Sequence, residues 1–161
     1  MLHSFQNIDN FKKRFNHFIE NPDLKKNKND AVFWSKIKDS NVNGYFLTSR
    51  SSCSQTLIYA LKPILICPQD FNVIPYVPKT AGLIKEIVES VYNVPFNKPK
   101  YKNRGGLIDE EIRESFEKKS NNDCFNLKSK YKINALIVPK SWDIDLIKNN
   151  SGSAFVFYVI E

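Results

Sequence analysis

The sequence predicts an α+β domain: a curved, mainly antiparallel sheet, small and barrel-like, with three to four helices packed on it. Three observations lead there. At 161 residues the chain is long enough to bury a core without staples. With 42% hydrophobic, 13% aromatic and 25% charged residues it has the composition of a globular protein. Segments with helical periodicity flank a run of short β-branched and aromatic stretches separated by polar turns. No internal repeat and no long linker divides the chain, so residues 1–161 read as one domain.

Ile8, Phe11, Phe15, Phe18 and Ile19 recur at helical spacing against Lys12, Lys13 and Arg14, which predicts a helix over Ile8–Glu20 between Asn7 and Pro22. A polar connection follows. Ala31–Lys38 reads as a strand, because it is β-branched and aromatic and ends in alternating Lys36, Ile37 and Lys38. Asn43-Gly44 is a hairpin signal, which makes Tyr45–Ser49 the returning strand and Arg50–Ser54 a loop of hydroxyls beside a cation. Thr56–Leu61 and Ile64–Cys67, separated by Pro63, and then Phe71–Val77 complete five short strands.

Thr80–Tyr92 predicts a helix with Leu83, Ile84, Ile87, Val88 and Val91 inward and Thr80 as its cap. Asp109 opens another helix, whose acidic first turn and terminal Lys118-Lys119 suit the macrodipole. Its apolar stripe, Ile112 and Phe116, is narrow and predicts a surface position. In Leu127–Val138, Leu127, Ser129, Tyr131 and Ile133 alternate with Lys128, Lys130 and Lys132 before the apolar run Ala135–Val138. That is the pattern of a strand entering the core. A short helix from Ser141 to about Lys148, a turn at Asn149–Gly152 and a buried strand at Ala154–Ile160 close the chain.

No apolar run approaches the length of a membrane helix, about 20 residues, and the first residues lack a signal-peptide pattern. Cys53, Cys67 and Cys124 are odd in number and widely spaced, which predicts reduced structural thiols and a cytoplasmic protein without a membrane partner.

Lys and Arg outnumber Asp and Glu by 24 to 17, a formal charge of +7 that biases the chain toward polyanions. An AT-rich coding sequence enriches lysine by itself, so placement matters more than number. Lys98, Lys100, Lys102 and Arg104 alternate around Tyr101. If extended, they share one face at about 6.6 Å spacing, twice the strand rise. Lys128, Lys130 and Lys132 repeat the pattern around Tyr131. Cations interleaved with aromatic rings suit RNA or single-stranded nucleic acid, with charge tracking phosphates and rings receiving bases. Lysine on a strand also blocks edge-to-edge association, which is the structural alternative.

No metal site or cofactor is expected. His3 and His17 are the only histidines, no His/Cys cluster exists, and Glu117-x-Lys119 sits at a helix end rather than on a strand. A histidine-free route to catalysis needs a hydroxyl or base that orients an RNA 2′-OH and a cation that stabilises the charged phosphorane. Thr48, Ser49, Arg50 and Ser52, with Ser51 between them, supply those residue types. In architecture and residue type, without an alignable motif, this combination resembles the small-barrel ribonuclease toxins of toxin–antitoxin systems. The resemblance implies a metal-independent endoribonuclease. The alternative expectation is a non-catalytic interaction module of immunity or inhibitor type, whose basic face meets an acidic protein partner.

Overall fold

The strand Tyr45–Thr48 finds its partner far along the chain, and that pairing organises the fold. In a computed structural model, residues 28–69, 71, 77–97 and 106–160 are described. They form α1 (Lys28–Lys38), β1 (Tyr45–Thr48), α2 (Arg50–Gln55, running on into a π-helical turn at Thr56–Ala60), α3 (Ala81–Ser90), α4 (Asp109–Phe116), α5 (Asn121–Tyr131), β2 (Ile133–Pro139), β3 (Lys148–Ser151) and β4 (Phe155–Val159). The sheet order is β1-β2-β4-β3. β1 lies parallel to β2, while β2–β4 and β4–β3 are antiparallel.

Alternation along the strands sends side chains to two separate cores. Phe46, Ala135, Ile137 and Phe157 meet Phe33, Trp34 and Ile37 of α1 and Ala60 of the π turn. Leu47, Leu136, Val138, Val156 and Tyr158 meet α3, α4 and α5 through Ile84, Val88, Ile112, Phe116, Cys124 and Leu127. Helices therefore cover both faces. β2, central and parallel to β1, accordingly carries the unbroken apolar run Ala135–Val138.

The α+β class agrees with the sequence. Among the described residues, however, the sheet is four-stranded, mixed and open rather than barrel-like, and five helices pack on it. Ala31–Lys38 is helical, because Phe33, Trp34 and Ile37 form one buried helical stripe and only its lysine-flanked end imitates period two. Arg50–Ser54 is the body of α2, and Thr56–Leu61 is the π turn that ends at Leu61 in left-handed conformation (φ 51°). Ile64 makes a single parallel bridge to Phe46 rather than a strand. Asn43-Gly44 is no hairpin. Gly44 (φ +96°) lets the backbone approach Lys132, whose carbonyl oxygen would lie 2.6 Å from an added Cβ, and the next residue, Tyr45, donates its N–H to that oxygen (2.8 Å).

The predicted strand Leu127–Val138 is two elements. Ser120 caps α5, with Asp123 bonding back to the Ser120 N–H, and Lys132 (φ 56°) ends the helix before β2 begins. Ser141–Lys148 forms no helix; Trp142 and Ile144 are buried there, and Lys148–Ser151 is a strand where a turn was expected. α3 matches its predicted inward face except Leu83, which is 59% exposed, and the Thr80 hydroxyl bonds Val77 rather than capping. α4 is not superficial: Ile112 and Phe116 are fully buried, the latter edge-on to Tyr92.

Cys53 and Cys67 are joined in a disulfide (Cα–Cα 5.7 Å), which corrects the expectation of three reduced thiols. The turn of the chain through Leu61–Ile66 returns it to α2, a proximity that spacing alone does not reveal. Cys124 is free and buried. Among the described residues, no helix is long and apolar enough to cross a membrane. The predicted helix at Ile8–Glu20 and most of the Phe71–Val77 strand lie outside the described residues.

Candidate nucleic-acid interface

Thr48, Ser49, Arg50 and Ser52 come together where β1 passes into α2. Ser49 is the helix N-cap: its Oγ accepts from the Ser52 N–H (3.1 Å) and lies 2.8 Å from Ser52 Oγ and 3.0 Å from Ser51 Oγ. The Ser52 hydroxyl donates to the Ile137 carbonyl of β2 at 2.7 Å, which ties the helix start to the sheet. The Asp109 carboxylate accepts from the N–H groups of Arg50 (2.6 Å) and Ser51 (3.3 Å). An internal anion thus already occupies the helix N-terminus. The Arg50 guanidinium reaches the Leu107 carbonyl at 3.4 Å. Thr48, Ser49 and Ser52 are at most 1% exposed, and only Arg50 of the four is partly open to solvent. Chemistry on a strand needs hydrogen-bond reach of about 3 Å; Ser49 and Ser52 are spent on contacts inside the protein, and Thr48 Oγ1 is buried without a partner among the described residues. Asp109 is the member that sequence reading missed, since its acidic neighbours read as a helix start and nothing linked it to Arg50.

Lys98, Lys100, Tyr101, Lys102 and Arg104 lie outside the described residues. Lys128, Lys130, Tyr131 and Lys132 occupy the last turn and cap of α5, not a strand. Two helical steps turn a side chain by roughly 200°, so Lys128 and Lys130 point to different sides. Lys128 donates to the Ile160 carbonyl (2.7 Å). Lys130 pairs with Glu86 at 3.2 Å and lies over the Tyr131 ring, while the Tyr131 hydroxyl donates to the same carboxylate at 3.1 Å. Hydrogen bonds from Lys130 and then Tyr131 hold the Glu86 carboxyl below the usual glutamate range. Lys132, at the left-handed cap, is exposed. In these positions the lysines complement the C-terminal end of the helix.

A groove of about 320 Å3 runs between α1 and the turn that joins β3 to β4, lined among others by Val32, Lys36, Lys140, Asn150 and Ser151. Asp30 builds it: its carboxylate accepts from the Ser153 N–H (2.9 Å) and hydroxyl (2.6 Å), fastening the turn to the start of α1. Gly152 permits the close approach, since an added Cβ would stand 3.0 Å from the Phe33 ring and 3.2 Å from Asp30. Val32 and Lys36, one helical turn apart, form one wall and Lys140, just past β2, the other. Asn150 presents a buried side-chain amide that meets no acceptor among the described residues. No carboxylate is among the described lining residues, and Asp30 at the end is engaged by Ser153. The groove can receive an anion flanked by an apolar surface. Sequence reading did not find it, because its parts come from α1, the end of β2 and the turn between β3 and β4.

Among the described residues no trio of His, Cys, Asp and Glu is placed to hold a metal ion. No protein-family model, curated protein or solved structure matches the chain.

Proposed function

We propose that this protein binds nucleic acid, as RNA or another single-stranded form, over a basic surface that includes the Lys36–Lys140 groove. The groove carries the reading. Two ammonium groups suit successive phosphates, Asn150 offers an amide donor, and Val32 beside Phe33 supplies apolar area for a base or sugar. The net charge of +7 supplies the long-range attraction. Lys98, Lys100, Tyr101, Lys102 and Arg104, together with Lys128, Lys130, Tyr131 and Lys132, belong to the same reading as contacts inferred from sequence.

Binding is better supported than cleavage. Metal-independent cleavage would fall to Thr48, Ser49, Arg50 and Ser52, and the burial of the three hydroxyls keeps them from a strand while α2 keeps its cap.

The test is titration of a fluorescent single-stranded RNA at several salt concentrations with the wild-type chain and with Lys36→Glu/Lys140→Glu. The double variant should bind more weakly, with a salt slope lower by about one for each phosphate that is no longer neutralised. Equal affinities in the two proteins would reject the groove. A stoichiometric acidic protein, rather than RNA, in the purified material would favour the interaction-module reading.

A further inference from the structure

We infer that a second groove, between the end of α3, the C-terminal half of α4 and the face of α5, is a binding site for the terminal phosphate of a ribonucleotide. It consists of two cavities, of about 340 Å3 and about 210 Å3, that share Asn93, Ser115 and Lys118. The larger also contains Ser90, Lys119 and Asn126. Small-ligand sites begin at about this size, roughly 300 Å3.

One buried group in the groove lacks the partner that burial normally demands, and a half-buried cation lies near it. Ser115 is 8% exposed, and its hydroxyl oxygen has neither donor nor acceptor near it among the described residues. Lys119 lies along the Phe116 ring, its Nζ 5.6 Å from the centroid. Burial pulls its pKa down, with Cys124 and Asp123 acting the other way. Neither Lys118 nor Lys119 is paired with a described carboxylate, whereas Arg113 and Lys130 each have one. Asp123 is the one acid lining the larger cavity among the described residues, and the Ser120 N–H (2.9 Å) and hydroxyl (2.7 Å) engage its carboxylate. A hydroxyl donor and two ammonium groups around one space fit a phosphate dianion. The side-chain amides of Asn93 and Asn126 can reach ribose or base polar atoms.

In the smaller cavity Val94 and Pro95 offer an apolar wall for an uncharged body beside the phosphate. A monoester with one charged end fits the two cavities together. A free nucleoside monophosphate and the 5′-phosphorylated end of a strand share that chemistry. The site is separate from the Lys36–Lys140 groove and does not depend on strand binding there.

The experiment is calorimetric titration of the full chain with adenosine 5′-monophosphate, adenosine and inorganic phosphate, with Ser115→Ala and Lys118→Gln/Lys119→Gln as variants. Removing an unpartnered buried hydroxyl relieves a penalty, so Ser115→Ala should melt no lower than wild type. It should nonetheless lose about tenfold or more in affinity for the monophosphate, the expected effect of losing a hydrogen bond to a charged group. The double lysine variant should lose at least as much, and adenosine should bind none of the three proteins. A 5′-phosphorylated oligonucleotide that competes better than its 5′-hydroxyl counterpart identifies a strand end as the source; competition by the free monophosphate alone identifies the nucleotide. Absence of saturable monophosphate binding, or equal binding in all three proteins, overturns the site. Retained RNA binding through Lys36 and Lys140 in that case would leave the strand reading intact.

Discussion

Two regions of this protein bring serine hydroxyls and cations together, and the fold treats them oppositely. At the start of α2, Ser49 and Ser52 bond each other, Ser52 bonds Ile137, and Asp109 fills the helix N-terminus beside Arg50. Between α4 and α5, the Ser115 hydroxyl has no described partner, and Lys118 and Lys119 form no direct ion pair with a described carboxylate. The first cluster is joinery between helix and sheet. The second leaves binding capacity uncommitted. Residue type alone selects the first as a reactive patch, and only the hydrogen bonds of the folded chain separate the two.

The comparison is tested most severely at the disulfide, which holds α2 to the chain beyond Pro63. Cys67→Ser, or reduction, should lower stability by about 3 kcal/mol, the effect expected for a loop near 15 residues. Urea denaturation with and without reductant measures it, and an unchanged midpoint would mean that α2 is held by its cap and the sheet alone. A smaller effect is expected at the anion inside the helix start. Asp109→Ala leaves the Arg50 and Ser51 N–H groups without their acceptor and should cost about 1–2 kcal/mol. If the same variant instead gains phosphate binding at α2, the two regions are more alike than the hydrogen bonds indicate.

The smallest expected effect is in acid. The Asp143 N–H holds the Glu117 carboxyl below the usual glutamate range; burial opposes it as the next largest influence, and Arg113 adds a lesser lowering pull. A depressed folded-state pKa contributes stability that is fully present above the ordinary glutamate range and is lost as pH falls through the folded value. Melting temperature against pH should therefore decline less steeply in Glu117→Gln than in wild type below that range, and parallel curves would contradict the assignment.

Where burial is enforced from both sides, the sequence is plain. Ala135–Val138 and Ala154–Ile160 are apolar because β2 and β4 have helices above and below, and Ile84, Ile87 and Val88 mark the packed face of α3. Elsewhere local patterns misdirect. Phe33, Trp34 and Ile37 satisfy a helical stripe as well as a short apolar strand, and packing on Phe46 and Ile137 decides between them. Lysines at every second position suggest a strand, yet the Ser120–Asp123 capping box starts a helix that carries them to different sides. Ser49 to Ser52 has the composition of a loop and the geometry of a cap. Neither groove was legible, because the joining contacts, such as Asp30 with Ser153, connect residues 123 positions apart.

The parallel pairing of β1 with β2 also bears on how the chain is made. Synthesis delivers Tyr45–Thr48 long before its partner strand, Ile133–Pro139, leaves the ribosome. Until then Phe46 and Leu47 have no sheet to join, and α1 has only part of the surface it will cover. The nascent segment must therefore wait, with oily residues showing, for β2 and β4 to arrive. Such deferred, long-range closure is the step that slows folding and invites chaperones.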